Sequence, residues 1–133
     1  MRVFLDANIL FSAAYFPGSK VEEFVLDLIA ASQVVVLTSA YAVSETQKNL
    51  LVKRPSGILH LETILNKIEM IDVPMSIHCP IDLPEKDHPI FVAAIHGRAT
   101  HLITGDRKHF GKWMNKPKQT RGIIIQTIAD FLQ

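Results

Sequence analysis

Cysteine is nearly absent from this sequence: Cys79 stands alone, so no internal disulfide is available and packing must hold the fold. A reducing compartment, the cytoplasm, is the expected home. Long apolar runs are also missing. None approaches the roughly 20 residues needed to cross a bilayer, and no membrane association is expected. The first residues lack the charged, apolar and small-residue regions of a secretory signal. Aromatic residues make up only 8%, most of them Phe, which excludes a Trp/Tyr-rich platform for stacking single-stranded nucleic acid. Charge of one sign is lacking too, because the net charge is +1. Repeats and low-complexity segments are not visible.

What is present is a globular composition, with 48% hydrophobic residues in a chain of 133. That length fits a single domain spanning 1–133. Charge is unevenly placed. Arg98, Arg107, Lys108, Lys112, Lys116, Lys118 and Arg121 are seven of the fourteen basic residues, and only Asp106 opposes them in that segment. A basic segment beside carboxylates suits a polyanion approaching metal-binding acids, although a solvated tail has the same composition.

The pattern alternates strands and helices. Arg2–Leu5 reads as a strand, followed by Asp6, Asn8 and an apolar run. Val21 to Ile29 carries apolar residues at helical intervals, with Ser19 or Lys20 near its start. Val34–Leu37 is a short, β-branched run of the kind buried on both faces. Thr38-Ser39 offers an N-cap for a helix from about Ala40 to Val52, which carries Glu45. Ile58 to Ile68 marks another helix, and Met70–Val73 a third strand. Pro74 to Pro84 is irregular. Asp87-His88-Pro89 opens a helix that ends near Gly97. His101–Thr104 is a strand, and Gly105-Asp106 a sharp turn permitted by glycine. A short helix then runs through Phe110 to Trp113. Ile123–Ile125 is the last strand, and Thr127 to Asp130 resembles a capping box. The expected fold is therefore α/β: three layers, α/β/α, around a central, mainly parallel five-stranded sheet.

Right-handed crossovers put every strand-to-helix turn on one edge of such a sheet. Asp6, Asp87 and Asp106 fall at strand ends or helix starts, and Glu45 lies one to two turns into its helix. Each acid has an ordinary alternative as a helix cap, a dipole complement or an exposed glutamate. Together they form a cluster that needs a counter-cation to stay ionised. Hard divalent ions with oxygen ligands meet that need, and paired ions recur in phosphodiester cleavage.

Four stretches carry a resemblance: Phe4-Leu5-Asp6-Ala7-Asn8-Ile9-Leu10; Ser44-Glu45; Asp87 with Ile90-Phe91-Val92-Ala93-Ala94; and Leu102-Ile103-Thr104-Gly105-Asp106. In order and spacing the chain resembles the PIN-domain nucleases, among them the VapC-like toxins and related small single-domain proteins. The resemblance implies a Mg²⁺- or Mn²⁺-dependent endoribonuclease with one or two ions bound. It implies Asp6, Glu45, Asp87 and Asp106 as the catalytic, metal-holding acids, with Asn8 and Thr104 as supporting polar groups. Arg107 and Lys108 would meet the RNA substrate. Glu85 competes with Asp87 for the third position, and the distance to Ala93-Ala94 favours Asp87. His88 and His109 border the site and are expected to be simply exposed. Ser12 is expected to bond its own backbone.

As a VapC-like toxin, the chain would pair with a small antitoxin protein, and the helices around Val21–Ile29 and Ile58–Ile68 are the expected surface for that partner or for a homodimer. The rival readings are a silent PIN-fold module that binds RNA or protein, a haloacid-dehalogenase-type phosphatase and a receiver domain. The phosphatase needs an aspartate where Asn8 stands. The receiver needs a phosphoacceptor aspartate at the end of its third strand, where this chain has Val73-Pro74.

Overall fold

The computed structural model describes residues 1–74 and 77–133. Its centre is a five-stranded sheet in the order β3-β2-β1-β4-β5, built from β1 (Arg2–Leu5), β2 (Val35–Ser39), β3 (Glu69–Ile71), β4 (His101–Ile103) and β5 (Ile124–Gln126). Every neighbouring pair is parallel. Helices α1 (Ala7–Tyr15), α2 (Lys20–Ala30), α3 (Ala40–Lys53), α4 (Gly57–Leu65), α5 (His88–His96), α6 (Arg107–Phe110) and α7 (Ile128–Phe131) flank it. This is the expected three-layer α/β/α arrangement.

The order of strands positions the site. From β1 the chain crosses to β2 on one side, and β4 later pairs with β1 on the other. The turns leaving β1 and β4 therefore diverge around one crevice at the carboxyl edge, where open parallel sheets bind ligands. β1 can occupy the centre because Val3, Phe4 and Leu5 are all fully buried. Phe91 and Phe110 join them in the core.

Several caps fall where the sequence places them. Ser19 Oγ accepts from Glu22 N, Ser39 Oγ from Ala42 N and Thr127 Oγ1 from Asp130 N. Other boundaries differ. β2 continues through Thr38 and Ser39, because the Thr38 hydroxyl donates to the Leu5 carbonyl at 3.0 Å and so sits inside the sheet without an orphaned polar group. β3 starts at Glu69 and ends at Ile71, where pairing with β2 stops. α4 ends at Leu65, three residues before the expected boundary. The irregular stretch from Pro74 to Pro84 includes residues 75 and 76, which lie outside the described residues. Asp87 closes a 3-10 turn, Glu85–Asp87, rather than opening α5 with a side-chain cap.

The apolar faces of α2 and α4 are mostly spent on the core, through Phe24, Val25, Leu28, Leu61 and Ile64. Leu26 on α2, Leu51 and Val52 at the end of α3 and Leu59 on α4 are large apolar side chains left exposed there.

α1, α3 and α4 meet at Gly57. A Cβ there would lie 2.9 Å from Leu50 Cδ2 and 3.2 Å from the Ala14 carbonyl oxygen. The carbonyl belongs to a packed helix and cannot step aside. Gly57→Ala should therefore destabilise the fold by about 1–3 kcal/mol. A urea midpoint lowered without a change in slope is the expected result, and an unchanged midpoint would refute the packing argument.

Candidate functional site: an acidic cleft at the carboxyl edge

Asp6 begins where β1 stops. It is 5% exposed and caps α1, its Oδ1 accepting from Ala7 N at 2.7 Å. Its Oδ2 accepts from Thr104 Oγ1 at 2.8 Å and Asn8 Nδ2 at 3.1 Å. Thr104, fully buried at the end of β4, also accepts from Asp106 N at 3.1 Å. Asn8 Oδ1 accepts from Gly105 N at 2.8 Å. The two strand ends are thus tied through side chains, and the ties keep Asp6 and Asp106 on one edge. Gly105 does not adopt a left-handed conformation. Its contribution is the N–H given to Asn8 rather than the sharp turn expected of glycine.

Asp6, Glu45, Asp87 and Asp106 all line one cleft of about 310 Å³. Glu85 lies outside it and lines a neighbouring hollow with Ser39, Ser44 and His88. Asp106 caps the short α6, its Oδ1 accepting from His109 N at 3.0 Å. Burial, helped by the Asp87 and Asp106 charges, pushes the Asp6 carboxyl up from 3.8 to about 6, against the lowering hydrogen bonds from Thr104 and Ala7. Burial also raises Asp87, partly offset by His109. Such a set is short of positive charge.

The cleft has a cationic border, but not the expected one. Lys53 and Lys86 line it. Arg107 instead lines a hollow on the other side of Asp106 with Ser12 and Thr127, and Lys108 is exposed outside the cleft. All seven basic residues of the late segment are exposed. Ser12 is exposed as well, and no hydrogen bond to its own backbone is recorded for its hydroxyl among the described residues.

Sequence reasoning missed one face of α3. Tyr41, Glu45, Asn49 and Lys53 all reach the cleft. They follow at four-residue intervals from one another, so the spacing around Glu45 was the signal that could have found them. Tyr41 donates its hydroxyl to the Lys86 carbonyl at 2.8 Å, which pins the 3-10 turn bearing Asp87 against α3. Burial raises the Tyr41 phenol, and the Glu45 carboxylate beside it adds to the shift. Thr46 is fully buried and donates to the Ala7 and Ala42 carbonyls, anchoring α3 to the start of α1.

The two bordering histidines differ. His88 Nε2 lies 2.7 Å from the Leu83 carbonyl and takes part in a local loop contact. His109 is not simply exposed: its Nδ1 lies 2.8 Å from Asp106 Oδ2 and 2.9 Å from Asp87 Oδ2. Asp87 Oδ2 is buried without a hydrogen-bond partner. An unpartnered oxygen among converging carboxylates is the state expected of a cation ligand, so these residues fit a divalent ion.

Comparison with known proteins bears on the family and the fold. No curated protein matches the chain. Among solved structures, the crystal structure of VapBC2 from Rickettsia felis bound to a DNA fragment from their promoter aligns with a TM-score of 0.68. Identity is 19%, over 96% of this chain and 98% of that one, so the likeness establishes the shared fold. Among the described residues no helix is long and apolar enough to cross a membrane. The PIN domain family matches residues 2–108, which contain both strand ends and all four acids. The chain belongs to the PIN domain family.

Proposed function

We propose that this protein is a divalent-metal-dependent endoribonuclease and the toxin of a toxin–antitoxin pair. The observation that carries the reading is the buried, unpartnered Asp87 oxygen in a cleft shared with Asp6, Glu45 and Asp106. These four acids would hold Mg²⁺ or Mn²⁺, as one or two ions. When bound, such ions supply Lewis-acid polarisation of the phosphate and lower the pKa of water.

The chain's own residues do the rest. Thr104 and Asn8 hold the Asp6 carboxylate in one rotamer by donating to Oδ2. For Asp106, His109 N donates to the carboxylate Oδ1, and the Asp106 backbone N donates to Thr104 Oγ1. Tyr41 secures the turn carrying Asp87. Lys53 and Lys86, at the cleft border, take the substrate phosphates on either side of the scissile bond. Arg107 and Lys108, outside the cleft, are left to more distant phosphates.

The reading is tested by incubating single-stranded and hairpin RNAs with the protein and Mn²⁺. Cleavage to 5′-phosphate ends is expected, with none in EDTA. RNA binding that never leads to cleavage, across several RNAs and both ions, would favour the silent module instead. Lys53→Ala should weaken RNA binding about equally for all sequences and reduce the slope of log affinity against log salt by about 1. A sequence-selective loss would show that Lys53 reads bases and not phosphate.

The antitoxin assignment draws support from the likeness to VapBC2. The exposed trio Leu51, Val52 and Leu59 offers an apolar face to an antitoxin or to a second copy of the chain.

A further inference from the structure

A buried ion pair and a ligand set place a histidine differently. In an ion pair, a charged N–H aligns on one carboxylate oxygen and makes a short, directed hydrogen bond. His109 does not. Its Nδ1 is nearly equidistant from Asp106 Oδ2 and Asp87 Oδ2, at 2.8 and 2.9 Å, and yet makes a hydrogen bond with neither. Nδ1 and Asp87 Oδ2 are both buried and both left without a hydrogen-bond partner. Asp87 is itself only 8% exposed. One ligand atom from each of Asp87, Asp106 and His109 falls within 4.8 Å of the others.

The local backbone enforces this convergence. Asp106 caps α6 through Oδ1, which accepts from His109 N, and its Oδ2 is the atom near the imidazole. The cap fixes Asp106 and His109 relative to each other within one short turn. The Tyr41 hydroxyl, bonded to the Lys86 carbonyl, holds the neighbouring Asp87 from the opposite side. Two independent elements therefore aim oxygen and nitrogen donors at one point.

We propose that His109 Nδ1 is a metal ligand, which makes Asp87–Asp106–His109 a mixed nitrogen–oxygen site that selects Mn²⁺ or a similar first-row ion over Mg²⁺. The proposal rests on the cleft being a divalent-cation site, and it adds which ion that site prefers. Mg²⁺ takes oxygen ligands and parts reluctantly with water. An imidazole brings little to Mg²⁺ but adds affinity along the first-row series from Mn²⁺ upward. An all-carboxylate cleft would discriminate less between the two.

The experiment reads metal binding directly and uses the full chain. Mn²⁺-loaded protein is examined by electron spin echo envelope modulation, and Mn²⁺ and Mg²⁺ affinities are measured by titration calorimetry. Wild type, His109→Gln and His109→Ala are compared after circular dichroism confirms that each is folded. A ¹⁴N modulation is expected in the wild type and its loss in both variants. Mn²⁺ affinity should fall by about tenfold or more, while Mg²⁺ affinity changes much less.

Opposite results are equally informative. If His109 is only a counter-cation filling the cleft, its removal frees two carboxylates, and both ions should bind as tightly as before or more tightly. That outcome, an equal loss for both ions, or Mn²⁺ binding without ¹⁴N modulation would overturn the proposal. RNA cleavage retained in any of these cases keeps the nuclease reading standing. Failure to bind either ion would remove both.

Discussion

Asp6→Asn should abolish RNA cleavage while making the metal-free protein more stable. The two effects have one origin. Burial in the closed end of the cleft holds the Asp6 carboxyl near 6, well above its ordinary 3.8. At pH 7.5 the fold therefore carries a charge it disfavours, by about 3 kcal/mol. Asparagine removes that charge at nearly constant volume. Its oxygen can take the place of Oδ2 and accept from Thr104 and Asn8. Its amide then faces Ala7 N, and a cap bond worth about 1 kcal/mol is lost. The net expectation is a gain of about 2 kcal/mol, or about 7 °C in melting temperature.

The sign reverses with acid. A carboxyl whose folded pKa is raised contributes stability at low pH and loses it as pH rises from about 4 through 6. The advantage of the variant should therefore shrink from pH 7.5 to pH 5 and vanish near pH 4. Adding Mn²⁺ at pH 7.5 should raise the wild-type melting temperature and raise that of the variant by less, since Asp87, Asp106 and His109 remain. Cleavage should fall by about three orders of magnitude, because a charged group that organises the reacting centre is gone. Thermal melts across pH, with and without Mn²⁺, check the first set of claims, and single-turnover RNA cleavage checks the last. A variant less stable at every pH would show that Asp6 is held by hydrogen bonds more strongly than burial opposes it.

Thr104→Val should move stability the other way. The two side chains have nearly the same shape, and Thr104 is fully buried, so packing is conserved. What disappears is a hydroxyl that gives to Asp6 Oδ2 and receives from Asp106 N and, at 3.3 Å, from Asn8 Nδ2. Asp106 N loses the side-chain acceptor, and Asp6 keeps Asn8 as the one side-chain donor to Oδ2. Leaving such groups unmatched costs about 2–3 kcal/mol. Activity should fall about 10- to 100-fold, as it does when the partners that orient metal ligands are removed. Because Thr104 lowers the Asp6 carboxyl, its loss should also shift the acid limb of the cleavage profile to higher pH. Denaturant melts and a pH–rate profile test both parts. Normal activity in a destabilised variant would assign Thr104 to the fold alone.

The fold was legible where burial and chemistry agree. After Arg2 and His101, β1 and β4 are apolar runs ending in an acid or Thr-Gly-Asp, and their pairing followed from the parallel pattern. β2 was cut short because Thr38 and Ser39 look like a helix start, whereas one bonds across the sheet and only the other caps α3. β3 was misplaced because it is partly exposed, with Met70 45% accessible, so burial writes little into its sequence. The convergence of Asp6, Glu45, Asp87 and Asp106 on one cleft followed from their positions at strand ends and helix starts. His109 did not follow, since its meaning depends on Asp87, which arrives from another element. The cationic border was sought in the dense basic segment. Lys53 stands instead two helical turns from Glu45, on the same face of α3.

The pairing of β1 with β4 also bears on when the protein becomes active. Arg2 N donates to the Thr100 hydroxyl across 98 residues of chain, and Asp6 N donates to the Ile103 carbonyl. Contacts so far apart in sequence form late and slow folding. During synthesis β1 emerges with Asp6 exposed at its tip, and Glu45 and Asp87 follow. Yet the strand that seats Asp6 is missing until His101–Ile103 has left the ribosome. A nascent chain short of that point carries three of the four acids without a cleft to gather them. If cleavage needs all four acids gathered in the cleft, the proposed activity can begin only after most of the chain is free.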